Sequence, residues 1–527
     1  MLLSYRKFVL SLILCCLICG PVSAQLLQRR TNDNAPATKP PSVENTSEES
    51  KRFGQRLIDR LKGGETQDPE ETKPAASPAP APKTQLPVKK EPPIVVDPNK
   101  TYNLTSSRTK DATDFVEISL ELAGKAKQVT NDQKEIEEKL EMKAGFRYEE
   151  RFLSDAVNPR SKLKSVRNYT SPSRAIIRVG SVESMPELDR KHNVIVCEID
   201  GKKTTMFSPQ GALKSEQVML VEGILGNTLS IDMLLPGKEV KIGDSWKIPN
   251  EAIYSLLDVD AISNQDLEAT LTSVANDLAI VEIVGDMEGA YLGALSEMHI
   301  RAAKYQFDLK TGRINWYAIS MSEERSISDV GPGLDIVALL QVKISPLDQP
   351  KVLTDEYLAN YSLEPVGDEL LIRYDGGEGP WRFHFARNWY IIEDVKGNSI
   401  LRMLNDAGEL VAQCSMVSMP PVETKSPTLL ADFSEDLKKG LGDSFGSIAS
   451  ADERVNAAGY NELRVIIDGA VDDLLLRWVY YLLTDNRGNQ SVVVFVIHPD
   501  KMRQFGTADE QIIDSFRMVD IAALPGL

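Results

Sequence analysis

Apolar and polar side chains alternate with period two along two stretches of this 527-residue chain. Val116, Ile118, Leu120 and Leu122 are separated by Glu117, Ser119 and Glu121, and Leu140, Met142, Ala144, Phe146 and Tyr148 repeat the pattern. Successive side chains of a strand point to opposite faces, so this spacing gathers the apolar set on one face and the charges on the other. One covered face and one solvated face is the habit of an antiparallel sheet.

The same logic extends over residues 101–348. Tyr305, Phe307 and Leu309 face Ile314, Trp316 and Ala318 across Lys310-Thr311-Gly312-Arg313, which predicts a hairpin. Ala175 to Val179, Asn193 to Ile199 and Leu278 to Val284 add strands, while helical periodicity is scarce. The phrase from Leu234-Leu235-Pro236-Gly237 to Asp244-Ser245-Trp246 resembles one found in uncharacterised bacterial exported β-domains; physically it is a Gly-Asp turn that drops Trp246 into an apolar layer. A mostly antiparallel β domain is expected here, with a curved sheet as one way to enclose an apolar ligand.

Residues 349–527 mix periods. Short strands are predicted at Leu370–Tyr374, Trp381–Phe385, Trp389–Ile392, Ile400–Leu404 and Leu410–Met416. A helix follows, with Ser426 as N-cap, Pro427 at its first position and Leu429, Leu430, Phe433, Leu437 and Leu441 facing inward. Strands at Leu463–Ile467, Leu474–Leu483 and Ser491–Ile497 lead to a last helix carrying a Thr507/Glu510 capping box and burying Ile512, Ile513 and Phe516. Trp381-Arg382-Phe383-His384-Phe385 leading to Trp389, and Leu474–Ile497 running on to Ser515-Phe516, resemble the PsbP-like superfold, which takes in the photosystem II extrinsic protein, the Ran-binding Mog protein and LpqN-type lipoproteins. That resemblance implies an antiparallel sheet sandwiched by helices and a binding role without catalysis. The fold class expected for the whole chain is therefore α+β, a β-rich domain followed by an α/β/α-like sandwich.

The N-terminus has another character. Arg6 and Lys7 precede a 12-residue apolar run from Phe8 to Cys19, too short to span a bilayer; Gly20-Pro21 breaks it and Val22-Ser23-Ala24 offers a cleavage site. Residues 1–24 are thus expected to be a signal peptide, placing the protein in the periplasm or outside the cell. Residues 25–100 follow as a disordered linker; positions 31–100 hold 12 of the chain's 29 prolines, a composition that cannot repay its ordering entropy. One island, 46–62, predicts a basic amphipathic helix with Phe53, Leu57, Ile58 and Leu61 on one face, suited to an anionic membrane surface.

Chemistry is harder to find. Net charge of −17 disfavours nucleic acid as a partner. Cys197 and Cys414, left after the leader is removed, are expected to be buried and free. His192, His299, His384 and His498 show no metal-ligand spacing. Asp258, Asp260, Asn264 and Asp266 lack the glycine and bidentate glutamate of a calcium loop and are expected to form a solvated acidic turn. Gly376-Gly377-Glu378-Gly379-Pro380 lacks the lysine of a phosphate loop. Gly442-Asp443-Ser444-Phe445-Gly446 matches a nucleophile elbow, with Asp485 and His498 following in hydrolase order. A helix is expected before it and a small-residue loop (Ser447, Ala449, Ser450, Ala451) after it, the wrong setting for an elbow. No catalytic, cofactor or metal residue is assigned. The expectation is an exported binding or scaffold protein of the bacterial envelope for an unknown protein or apolar ligand, the alternative a hydrolase of an envelope polymer or ester.

Overall fold

A computed structural model describes residues 100–129, 134–155, 162–170, 172–222, 227–375, 381–395, 398–422 and 428–519. The leader, the linker with its 46–62 helix, the Gly376–Pro380 loop and Ser426-Pro427 lie outside them. Strand far outweighs helix.

The alternating stretches become β2 (Thr113–Val129) and β3 (Glu135–Phe152), after a short β1 (Thr101–Asn103). They pair from Thr113↔Arg151 to Val129↔Glu135 without a bulge, so the register keeps every even-numbered apolar residue on the same face. β4 (Leu163–Tyr169), β5 (Arg174–Val179), β6 (Val182–Ser184), β7 (Val194–Asp200) and β8 (Lys203–Phe207) extend the sheet on one side. β9 (Leu213–Lys214), β10 (Glu239–Lys241), β11 (Ser245–Lys247) and β12 (Ala261–Gln265) are short. β13 (Glu268–Ala275), β14 (Leu278–Tyr291), β15 (Ala294–Asp308), β16 (Arg313–Arg325) and β17 (Gly333–Leu347) extend it on the other. The order is β11-β13-β14-β15-β16-β17-β2-β3-β4-β7-β8, with β12 on β14, β5 on β3 and β6 on β5. The expected hairpin is β15–β16.

Sequence periodicity missed the helices of this half. Ser215–Glu222, Asn250–Leu257 and a 3₁₀ segment at Thr228–Leu234 contribute Leu220, Val221, Leu229, Ile231, Leu234, Ile253, Leu256 and Leu257 to one core. Leu271 and Val281 join that core from one wing of the sheet, Ile195 and Met206 from the other, so the inner face bends round these helices and is filled by them. At eight residues each, the two helices are about two turns long, too short for their apolar spacing to stand out from the strands around them. The outer face is not solvated throughout either. Leu353 and Leu358 cover Val166, Val194, Val196 and Phe207, which is why Val194–Cys197 is apolar on both parities.

β18 (Ile372–Asp375), β19 (Trp381–Phe385), β20 (Trp389–Val395), β21 (Asn398–Leu404), β22 (Leu410–Met419), β23 (Phe445–Val455), β24 (Asn461–Val471), β25 (Leu474–Thr484), β26 (Gln490–Ile497) and β27 (Arg517–Met518) complete the chain. Seven form a sheet in the order β20-β21-β22-β26-β25-β24-β23. The Leu430–Leu441 helix puts Phe433, Leu437 and Leu441 against Val465, Ile467, Tyr480 and Leu482 on one face. Phe505, Ile512, Ile513 and Phe516, together with Trp381, Phe383 and Phe385, cover Val479, Tyr481, Val493 and Phe495 on the other. β25 is thus buried on both sides, which explains its unbroken apolar run.

Two expectations change here. Thr507 makes no side-chain cap to the Ala508–Ser515 helix. Asp509, in that helix's first turn, instead points inward and accepts hydrogen bonds from Tyr481 Oη (2.7 Å) and Arg464 Nη2 (3.0 Å). The loop expected after Ser444 is the strand β23. Ser and Ala are poor strand formers, and an exposed edge strand carries no burial pattern to betray it.

Phe495 packs edge-on to Trp389 and Tyr481 and against Phe505, with no exposure. Phe495→Ala should cost about 3–5 kcal/mol, read as a lower urea midpoint for the second half.

Candidate functional site

The hydrolase constellation is taken apart by the topology. The helix before Gly442 and the strand after Ser444 reverse the strand-then-helix order of an elbow. β23 and β26 are separated by β24 and β25, so Ser444 and His498 stand three strand spacings apart, roughly 14 Å. Asp485 lies at the far end of β26 from His498. It is occupied by its own turn, accepting from Arg487 N (2.8 Å), Asn489 N (2.9 Å) and Asn489 Nδ2 (2.8 Å). The histidines are equally scattered: His299 pairs with Asp286 and His384 with Asp368, while His192 is buried and His498 caps a turn. Among the described residues no group of three His, Cys, Asp or Glu side chains could hold a metal ion. Cys197 and Cys414 are both fully buried.

The polar constellation that does assemble is inside the first half, and sequence reading missed it. Period two sends Glu149 outward and Glu150 inward from β3. Glu150, with no exposure, accepts from Ser165 Oγ (2.7 Å) and Arg167 Nε (2.8 Å) on β4 and from the Thr228 hydroxyl. Arg167 reaches on to Asn227 Oδ1 and stacks its guanidinium 5.0 Å from the Tyr148 ring centre. Asn227 in turn caps the Thr228–Leu234 segment by accepting from Leu229 N (3.2 Å). Burial alone would raise the Glu150 carboxyl; Arg167 and the Thr228 and Ser165 hydroxyls outweigh it and hold the group below the usual carboxylate range.

A second layer lies beside it. Arg108 bonds Asp232 (2.8 Å) and the carbonyls of Thr228 (3.0 Å) and Leu229 (2.7 Å). Its guanidinium sits 4.1 Å from the Phe152 ring centre, and that of Arg313 5.9 Å. Arg313 also pairs with Asp114 at 2.5 Å. Burial pushes the Asp114 carboxyl up to about 6 against the pull of Arg313. Every one of these groups is sealed from solvent, so the network ties strands to helices rather than meeting a substrate. On the outer side, Glu149 accepts from the amides of Lys351 (3.0 Å), Val352 (3.1 Å) and Leu353 (2.9 Å), clamping the connector between the halves.

Two features do face outward. A cleft of ≈ 230 Å³ is lined by Tyr169, Thr170, Ser173, Leu188, Arg190 and Asn193. It is smaller than the roughly 300–1,000 Å³ of ordinary small-ligand sites. The other is β23, 11 residues long and exposed or half-exposed along its whole length. It pairs with β24 from Phe445↔Gly469 to Val455↔Asn461, with bulges at 445/447 and 448/450 and regular register beyond Ser450. Its outer edge meets no strand among the described residues.

No protein-family model and no curated protein matches this sequence. Among solved structures the chain is similar to cyanobacterial PsbP from Synechocystis sp. PCC 6803, with 16% identity over 30% of this chain and 97% of that one and a TM-score of 0.24. It is also similar to PA94 from Pseudomonas aeruginosa, a protein of unknown function described as a putative regulator (10% identity, 27% and 94% covered, TM-score 0.20). Lipovitellin is a third (8% identity, 47% and 26% covered, TM-score 0.28). Scores this low carry no argument about function.

Removing one partner of a buried pair strands the other, so Glu150→Gln should destabilise the protein by about 3–5 kcal/mol by urea titration, while the paired change Glu150→Met with Arg167→Met restores part of the loss. Asp114 holds its proton up to about 6 folded against an ordinary 3.8, so its contribution favours the fold in acid and is lost as pH rises from about 4 to 6. Asp114→Asn should remove that slope from a plot of unfolding free energy against pH. Glu150, held low, acts oppositely, its contribution being lost as pH falls through the carboxylate range.

Proposed function

We propose that this chain is an exported, non-catalytic binding or scaffold protein of the bacterial cell envelope, that its C-terminal half is PsbP-like, and that it engages an extended segment of a partner polypeptide along β23. Export rests on Arg6, Lys7, the Phe8–Cys19 run and Ala24. The PsbP-like reading rests on a central antiparallel sheet with the Leu430–Leu441 helix on one face and the Ala508–Ser515 helix on the other, around Trp381, Phe383 and Trp389.

The observation that carries the binding reading is the open edge of β23. A row of unpaired backbone donors and acceptors is a template for another strand, and proteins usually blunt long edges of this kind. Here the bulges blunt only the first part, and Ser450 to Val455 stays regular. A polypeptide partner is favoured over an enclosed apolar ligand because the inner face of the large sheet is filled by the chain's own helices.

A photo-reactive residue placed in turn at Ala449, Ala451 and Glu453 of the full-length protein, expressed in its native envelope, should crosslink to protein at least tenfold more than one placed at the exposed Glu288 of β14. Equal labelling at both strands, or capture of lipid alone, would overturn the reading.

A further inference from the structure

Four short strands drawn from both halves make a sheet of their own, in the order β27-β19-β18-β9, with β9 supplied by the first half. The register sets Lys214 beside Arg373, Arg373 opposite His384, Asp375 opposite Arg382, and Arg382 opposite Arg517. Residues paired in register share a face, so these six lie together on one side of the sheet. The alternate positions Leu213, Ile372, Tyr374, Trp381 and Phe383 are buried on the other side. Every outward position therefore carries an ionisable side chain, and five of the six are basic. That sign is the reverse of the whole chain, which holds 60 Lys and Arg against 77 Asp and Glu.

The acids do not balance the bases here. Asp375 is the carboxylate on the face, and three cations share it: Arg373 Nη2 and Arg382 Nε, each at 2.8 Å, and Lys214 Nζ at 4.0 Å. At the rim, Glu216 stands 3.8 Å from Lys214 and Asp368 2.9 Å from His384. Arg517 meets no carboxylate among the described residues and donates instead to the carbonyls of Asp514 (3.0 Å) and Phe516 (2.7 Å). Arg373 Nε is left without an acceptor among them. Arg382, with 49 % of its side chain exposed, opens the face to solvent.

We propose that this face docks the protein on a membrane surface of anionic phospholipid. Guanidinium groups offer paired N–H donors matched to phosphate oxygens, and Lys214 adds a point charge. The four permanent cations, Lys214, Arg373, Arg382 and Arg517, spread over three strand spacings, roughly 14 Å, on an open face. A single phosphate would reach the donors of one or two strands, whereas a layer of headgroups reaches them all. The Asp368–Leu370 turn that meets His384 leaves Leu370 exposed, with Val366 exposed just before it, so apolar side chains stand at the rim as an interfacial surface requires. A net charge of −17 opposes general adsorption, so the attraction has to come from a local face such as this. The face belongs to a different sheet from β23 and stands independently of the reading given to that edge.

Flotation of the mature chain, residues 25–527, with vesicles of phosphatidylcholine alone or mixed with phosphatidylglycerol tests this. The protein should float with the mixed vesicles at low salt, stay behind with the neutral ones, and be released as salt screens the face. Lys214→Gln with Arg382→Gln should weaken binding by about 25-fold, about fivefold for each charge removed. The same loss of charge at the exposed Lys310 and Lys343 of the first half, both to Gln, should change binding by less than about twofold. Lys214→Arg with Arg382→Lys keeps both charges and should bind as the unaltered protein does. If the Gln pair fails to fold, Arg517→Gln alone decides, with an expected loss of about fivefold. No flotation with the mixed vesicles, or equal flotation of the Gln variants, overturns the proposal. Saturable binding of inorganic phosphate in calorimetry, lost in the Gln pair, would mark a free-anion site and overturn it as well.

Discussion

A carboxylate cannot sit at zero exposure in an apolar core unless the core supplies its counter-charge and hydrogen bonds, and Glu150 imposes that requirement on the first half. Its oxygens are met by Ser165, Arg167 and Thr228, which fix β4 against β3 and seat the Thr228–Leu234 segment inside the curve of the sheet. Arg167 carries the constraint to Asn227, and Arg108 carries it to Asp232 and the carbonyls of the same segment. The helices that fill the sheet are thus held by direction-specific bonds rather than by apolar contact alone, which selects one packing among many of similar hydrophobic content.

The second half solves a different problem. A sheet covered by helices leaves little solvated surface for charge, so the polar groups along its strands are paired, Arg402 with Gln413 and Arg477 with Asp468. Asp509, Tyr481 and Arg464 form a further group. They are linked side chain to side chain where the last helix crosses the sheet, and they set that helix's position more firmly than the cap expected at Thr507 would have done.

What could be read beforehand follows from where periodicity survives. The alternation of β2 and β3, the β15–β16 hairpin, the apolar β25 and the Phe433–Leu441 stripe were all legible because one side of each element is uniformly apolar or both are. Three things were not. The Ser215–Glu222 and Asn250–Leu257 helices are only about two turns long, so their apolar spacing is too brief to stand out. β23 is exposed or half-exposed along its length and carries a run of small residues from Gly446 to Ala451 broken only by Ile448, so neither propensity nor pattern marks it. Glu150 looked like one more solvated charge beside Glu149, because its burial depends on β4 and residues 227–228, which no local window contains. The acidic turn expected at Asp258, Asp260, Asn264 and Asp266 is different in kind: residues 261–265 form the strand β12, and Asp258 is half-buried while the other three are exposed.

The pairing of β2 with β17 carries a consequence for how the molecule is made. Thr113 lies opposite Leu347 and Lys127 opposite Gly333, so the middle of the large sheet joins residues more than two hundred positions apart. Such non-local pairing is slow to form, because the loop must close before any contact repays it. Until residue 347 is synthesised, β2 is a bare edge seventeen residues long, alternating apolar and polar. A chain interrupted before β17 therefore presents to its neighbours the surface that the finished protein hides, an open template for another strand.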